Sequence, residues 1–372
     1  MEQPSELSAR EQASAFAAEH IACRVDLQTG GEFPLDLWRK MGEAGLFRIG
    51  ISEVYGGTGG GYADLLGAGE AFVQSGFNLG LAVSWLYQQI IAHYVIGVFG
   101  TREQREHYLP GAAEGRIIFS FAVSEPGRGA RPKLLTTEAR KHARGYALTG
   151  AKTYLTNGPI AGVFIVVAAT GQQTPQKHFT AFMVPRAAAG ITVAAPLPLN
   201  FLKPSPHGSI TLQDCLVGQD SVLGTEGSAW GDLVVPLGEI EDIVMAGPAL
   251  GGMSAVLTGL ADALREGPPP PDADVLGELG AASASLQTLR IIASESAARI
   301  DRGCGSPSPL MIAFARQAGE FQSGVRNIID ARHISLPDKY VTLLRDLESI
   351  SALKKRLMQI RREKIGAALL KS

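Results

Sequence analysis

The chain has 372 residues, enough for two or three packed units rather than a single core. Hydrophobic residues make up 45% and charged residues 19%, which is the composition of a globular chain and not of a disordered one. The net charge of -2 argues against nucleic acid as the main partner. Cys23, Cys215 and Cys304 are dispersed and form no CxxC pair, which argues against a zinc site or a disulfide framework.

The opening stretch MEQPSELSAREQASAF is polar and acidic, without an apolar signal core or an Arg-rich transit pattern. No apolar run is read as reaching the roughly 18 residues that span a bilayer. The expectation is a cytoplasmic protein with no membrane segment. Residues 1–115 read as helical, with Leu37, Met41, Leu46 and Phe47 along one stripe. A glycine-rich break follows at Glu53 to Gly61, then apolar helices from about Tyr62 to Gln74 and from about Leu79 to Phe99. Thr101 opens the sequence TREQ, a cap with acid and amide in the first turn of a short helix.

At Arg116 the pattern changes. RIIFSFAVSEP, YALTGAKTYLTNG, VFIVVAAT, HFTAFMVP, GITVAAPLP and SITLQDCLV are short, rich in β-branched and aromatic residues, and separated by turn residues. They predict a small antiparallel barrel or sandwich over 116–228. The helical period returns for 229–372, interrupted strongly only by the prolines Pro268 to Pro271. Helices are predicted from about Trp230 to Arg265, Ala273 to Asp301, Pro309 to Ala331 and Asp338 to Leu370, as a four-helix bundle. The fold class is therefore α+β: an N-terminal helical domain, a central β domain and a C-terminal bundle.

Five segments give this order a family resemblance. They are Gly45-Leu46 through Tyr55-Gly56-Gly57-Thr58-Gly59; Phe99-Gly100-Thr101 with Gln104 and Tyr108-Leu109-Pro110; Phe121 through Ala130; Tyr146 through Gly158; and Val222-Leu223-Gly224 with Glu226-Gly227. Together they resemble the acyl-CoA dehydrogenase family. The resemblance implies FAD as cofactor, an acyl-CoA or acyl-carrier thioester as substrate and an electron-transfer flavoprotein-like acceptor. It also implies assembly as a homo-oligomer or as a heteromer with a homologous subunit. Val123, Ser124, Gly129, Ala130, Tyr154, Leu155 and Thr156 are the implied flavin contacts, with Tyr154 where the family usually packs a Trp on the ring. Ala130 and Arg131 fall where the family holds the CoA side.

The family's chemistry needs a carboxylate that takes the α-proton on the face opposite the flavin, with its pKa raised by burial. The usual position, counted from Arg345-Asp346, holds Lys354. A branch resembling isovaleryl-CoA and long-chain enzymes carries the base on the first bundle helix, and there the matching residue is Glu241. Asp242 replaces that branch's Arg on the substrate side, and as an anion it is expected to raise the pKa of Glu241 further. The family's Gly-Ser-Asp is Gly129-Ala130-Arg131. Arg265 is the remnant of its pyrophosphate-gripping segment. Its Gly-Gly-x-Gly turn is replaced by Ala331 through Asp338, which has no glycine. Two readings follow: a dehydrogenase with Glu241 as base, or an impaired subunit whose homologous partner completes the FAD site.

Overall fold

The computed structural model describes residues 7–30, 32–171, 177–268 and 270–370. The helical domain runs α1 (Ala9–His20), α2 (Asp26–Thr29), α3 (Leu35–Glu43), α4 (Tyr62–Gly76) and α5 (Leu79–Ile90). A π-helical turn at Ile91–Ile96 carries α5 into α6 (Gly97–Phe99), and α7 (Arg102–Ala113) closes the domain. Thr101 and Gln104 cap α7 reciprocally, as TREQ predicts.

The strands are β1 (Phe119–Ala122), β2 (Glu138–His142), β3 (Gly145–Thr156), β4 (Val163–Ala169), β5 (Phe179–Pro185), β6 (Ile191–Val193), β7 (His207–Gly218) and β8 (Val222–Leu223). Their order is β6-β7-β3-β2-β4-β5-β8, with β1 on β4. The sheet is mixed rather than antiparallel throughout: β1 and β2 both run parallel to β4. The loop from Ser124 to Thr137 brings the chain back so that the β2–β3 hairpin follows β1 before β4 is laid down. Charged β2 and two-residue β8 were not among the predicted strands, because neither carries an apolar alternation.

Alternation along β4 splits the core in two. Val163, Ile165 and Val167 pack against the helices, while Phe164, Val166 and Ala168 fill the interior of the β domain with Tyr146, Leu148, Phe182 and Ile210.

In the bundle, a π-helical turn at Trp230–Val234 leads into α8 (Val235–Val244), followed by α9 (Ala246–Glu266), α10 (Ala273–Asp301), α11 (Ser308–Ala331) and α12 (Asp338–Leu369). The predicted single helix from Trp230 to Arg265 is thus divided at Met245. Pro248 explains the break: it has no N–H for the carbonyl of Val244, so the ladder cannot continue unbroken. α9 lies against α4 at close range. A Cβ on Gly247 would sit 2.1 Å from the Leu66 carbonyl oxygen, and one on Gly251 2.2 Å from that of Glu70. Buried Glu70 accepts from Arg10 of α1 at 2.8 Å and from Arg290 of α10 at 2.6 Å. These contacts hold α4 against α1, α9 and α10.

Two helical stretches, Leu79–Phe99 and Trp230–Glu266, are long and apolar enough by length and composition to cross a bilayer, contrary to the sequence reading. Their apolar windows are 72% and 78% buried inside the protein itself, as core helices are.

Candidate active site

β1 ends in a turn held by a buried ion pair. Lys152 of β3 donates to the Val123 carbonyl at 3.0 Å and to Glu125 Oε1 at 3.1 Å, and both side chains are shut off from solvent. Glu125 also accepts from the backbone N–H groups of Thr136 and Thr137 and from the Thr136 hydroxyl. Burial alone would raise its pKa, but the hydrogen bonds from Thr137 and Thr136 and the Lys152 charge win and pull it down to about 2. Burial pulls Lys152 down to about 8 against the attraction of Glu125. Ser124 C=O accepts from Thr153 N–H at 2.9 Å, so β1 and β3 are locked side by side.

The pairing of β3 with β7 shifts register between Lys152 and Leu155. In that bulge Tyr154 has φ of +57°, and the residue is 66% exposed. A non-glycine residue in the left-handed region costs of order 1–3 kcal/mol and marks functional edges. A large ring held outward at such a cost, beside the part-exposed Ser124 and Thr156, is a ready surface for a flat aromatic ligand. Thr156 Oγ1 lies 3.2 Å from His207 Nε2. His207 Nδ1 faces the Ser205 carbonyl, which can only accept, so Nδ1 carries the proton and Thr156 donates to Nε2. Leu155 is different: its side chain points into the β interior and only its backbone faces the edge.

α5 ties this edge to the bundle. Its Gln88 accepts from Phe119 N–H of β1, and its Ser84 carbonyl accepts from Asn157, which follows β3. Between them Tyr87 lies within electrostatic reach of Glu241 on α8. Burial, helped by the Glu241 charge, pushes the Tyr87 phenol well above its ordinary value, so it stays protonated as a donor. Its neighbour Trp85 is fully buried, with its indole N–H on the Leu46 carbonyl.

Burial pushes the Glu241 carboxyl above the usual range. Lys354 and Arg361 pull it down and Asp242 pushes it up, both less than burial does. Its side chain keeps a partial opening to solvent. Asp242 is not the free neighbouring anion the sequence suggested. It is buried and accepts from Lys354 Nζ at 2.6 Å and from Arg361. Lys354, counted at the position of the usual base, thus meets Asp242, counted at the position of the other branch's Arg, with the charges exchanged.

The remaining predicted contacts are not gathered here. Arg131 turns its guanidinium back onto the carbonyls of Arg128 and Gly127 in its own exposed turn, with Gly129 and Ala130 exposed beside it. Arg265, in the last turn of α9, pairs with Asp262 at 2.7 Å. At the same end of the bundle Arg332 pairs with Asp272, the cap of α10. His333 holds φ of +51° in the link where a glycine turn was sought. Among the described residues no cluster of His, Cys, Asp or Glu is placed to hold a metal ion.

The comparisons agree with this architecture. Residues 3–116 match the model of the acyl-CoA dehydrogenase N-terminal domain, and residues 120–215 match that of the middle domain. Isovaleryl-CoA dehydrogenase of Arabidopsis thaliana is 31% identical over 265 residues, 70% of this chain and 64% of that protein. The chain therefore spans somewhat less than two thirds of that relative's length. Butyryl-CoA dehydrogenase of Megasphaera elsdenii superposes over 100% of both chains with a TM-score of 0.88 at 22% identity. PigA with FAD and proline superposes over 99% of both chains with a TM-score of 0.83 at 20% identity. The chain belongs to the acyl-CoA dehydrogenase family.

Proposed function

We propose that this protein carries out flavin-dependent α,β-dehydrogenation of an acyl thioester, carried on CoA or on a carrier protein, with Glu241 as the base. One observation carries the reading. A single helix, α5, is hydrogen-bonded to Phe119 at the start of β1 and to Asn157 next to Thr156 at the end of β3, and it holds Tyr87 within electrostatic reach of Glu241 on α8. FAD, when bound, supplies the acceptor for the β-hydride. Tyr154 gives its ring system a wall, while Ser124 and Thr156 offer polar contacts at its edge. Glu241 accepts the α-proton, and burial brings its pKa toward the working pH. The protonated Tyr87 phenol stays beside it as a neutral hydrogen-bond donor. Electrons then pass to an electron-transfer flavoprotein-like acceptor.

The nucleotide half supports a second feature of the proposal. Arg265 and Arg332 are paired with carboxylates, and His333 falls, by sequence position, in the link where the family resemblance sets a glycine turn against a phosphate. The residues present fit the flavin ring and do not fit the pyrophosphate. We infer that a homologous subunit completes the FAD site.

The visible spectrum tests this. Purified alone, the protein is expected to be nearly colourless and to take up added FAD weakly. Co-expressed with a homologous chain that carries the glycine turn, it is expected to co-purify as a yellow complex. A chain that holds stoichiometric FAD by itself overturns the partner; a co-purified complex that stays colourless with added FAD overturns the flavin reading.

A further inference from the structure

A cavity of about 270 Å³ opens inside the bundle between the α8–α9 junction, α11 and α12. No residue of the Ser124–Tyr154–Thr156 edge lines it, and neither Glu241 nor Tyr87 does. Its wall is apolar and includes Met245, Met311, Phe314, Leu347 and Met358. Three of these are methionines, unbranched and adaptable, which suits a linear chain better than a rigid ring. Alanines at positions such as Ala249 and Ala315 leave the space open.

The exposed charges of the lining have one sign. Arg316, Lys355 and Arg362 are exposed cations of α11 and α12 that line the cavity. Arg316 lies 3.8 Å from Glu320, and Arg362 donates to the neutral Gln359 amide. The one acid in the lining, Asp242, is already neutralised by Lys354 and Arg361. An apolar pouch rimmed by cations is complementary to an alkyl chain ending in an anion.

We propose that this cavity is a second ligand site, which takes an unbranched alkyl carboxylate with its chain among the methionines and its head group at Lys355 and Arg362. The site does not depend on the flavin reading, since it shares no residue with that edge. A head group held by these cations bears on α12, and therefore on Lys354, which faces Asp242 beside the proposed base.

The test uses the 372-residue chain and trans-parinarate, an unbranched polyene carboxylate whose fluorescence rises on binding, as the probe. Decanoate is expected to displace the probe, with decylamine and decanol each about tenfold weaker or worse, as loss of one favourable charge contact implies. The surface variant K355E/R362E should weaken probe binding at least about tenfold. Ala315→Trp, which fills the cavity, should abolish it while the circular dichroism spectrum stays that of the parent. Competition by decylamine equal to that by decanoate overturns the proposal. So does undiminished binding in a folded Ala315→Trp variant. Probe binding that vanishes as the protein dimerises at higher concentration assigns the cavity to a second copy of the chain, which also overturns it.

Discussion

Glu241→Gln is expected to lower the rate of thioester-dependent dye reduction by at least about 10²-fold while leaving bound flavin unchanged. The carboxamide keeps the size of the side chain but cannot take the α-proton. The pH dependence adds a second signature. The base works only when ionised, and burial holds its pKa above the ordinary carboxylate range. The parent's rate should therefore rise with pH through a point above that range, and the residual rate of Glu241→Gln should lack this limb. Steady-state turnover across pH, with flavin content measured on each preparation, checks both. Parent-level turnover in the variant removes Glu241 from the role.

Lys152→Met is expected to be among the most destabilising single substitutions in the β domain, by about 3–5 kcal/mol in urea unfolding. It leaves the Glu125 carboxylate buried without its cation, although three donors from Thr136 and Thr137 remain. The double variant K152M/E125Q should recover much of the loss, because no uncompensated charge is left behind. The acid limb follows from Glu125. Its folded pKa is about 2 against an ordinary 4.5, so the stability it contributes is fully present above 4.5. That contribution is lost as pH falls through about 2, and Glu125→Gln should lack this part of the acid loss. Equal stability of Lys152→Met and parent would mean that the pair does not hold the turn.

Local pattern carried much of this structure. The short β-branched and aromatic runs became β1, β3, β4 and β5, and the TREQ cap became the start of α7, because each signal lies within a few neighbouring residues. The mixed pairing was not legible, since the direction of β1 relative to β4 depends on the path of the loop between them. The position of Glu241 came from counting along a helix, which survives divergence well. The Asp242–Lys354 pair joins residues 112 apart, and each looked like a defect when read alone. Side by side they are one exchanged ion pair. Glu125 and Lys152 lay inside the quoted motifs without a role, because nothing local reveals that an acid and a cation on different strands share one buried space. Arg131 and Arg265 show the converse: cations read against the CoA side and the pyrophosphate meet nearby carbonyls and Asp262.

An anaerobic titration of the FAD-bearing protein, alone or in complex with its homologous partner, with acyl thioesters on CoA and on a carrier tests the proposed dehydrogenation most directly. The flavin's visible band is expected to bleach on adding substrate in the parent, and to keep its intensity in a complex whose copy of this chain carries Glu241→Gln. A flavin band unchanged by every acyl thioester in the parent, or bleached equally in the variant, would contradict it.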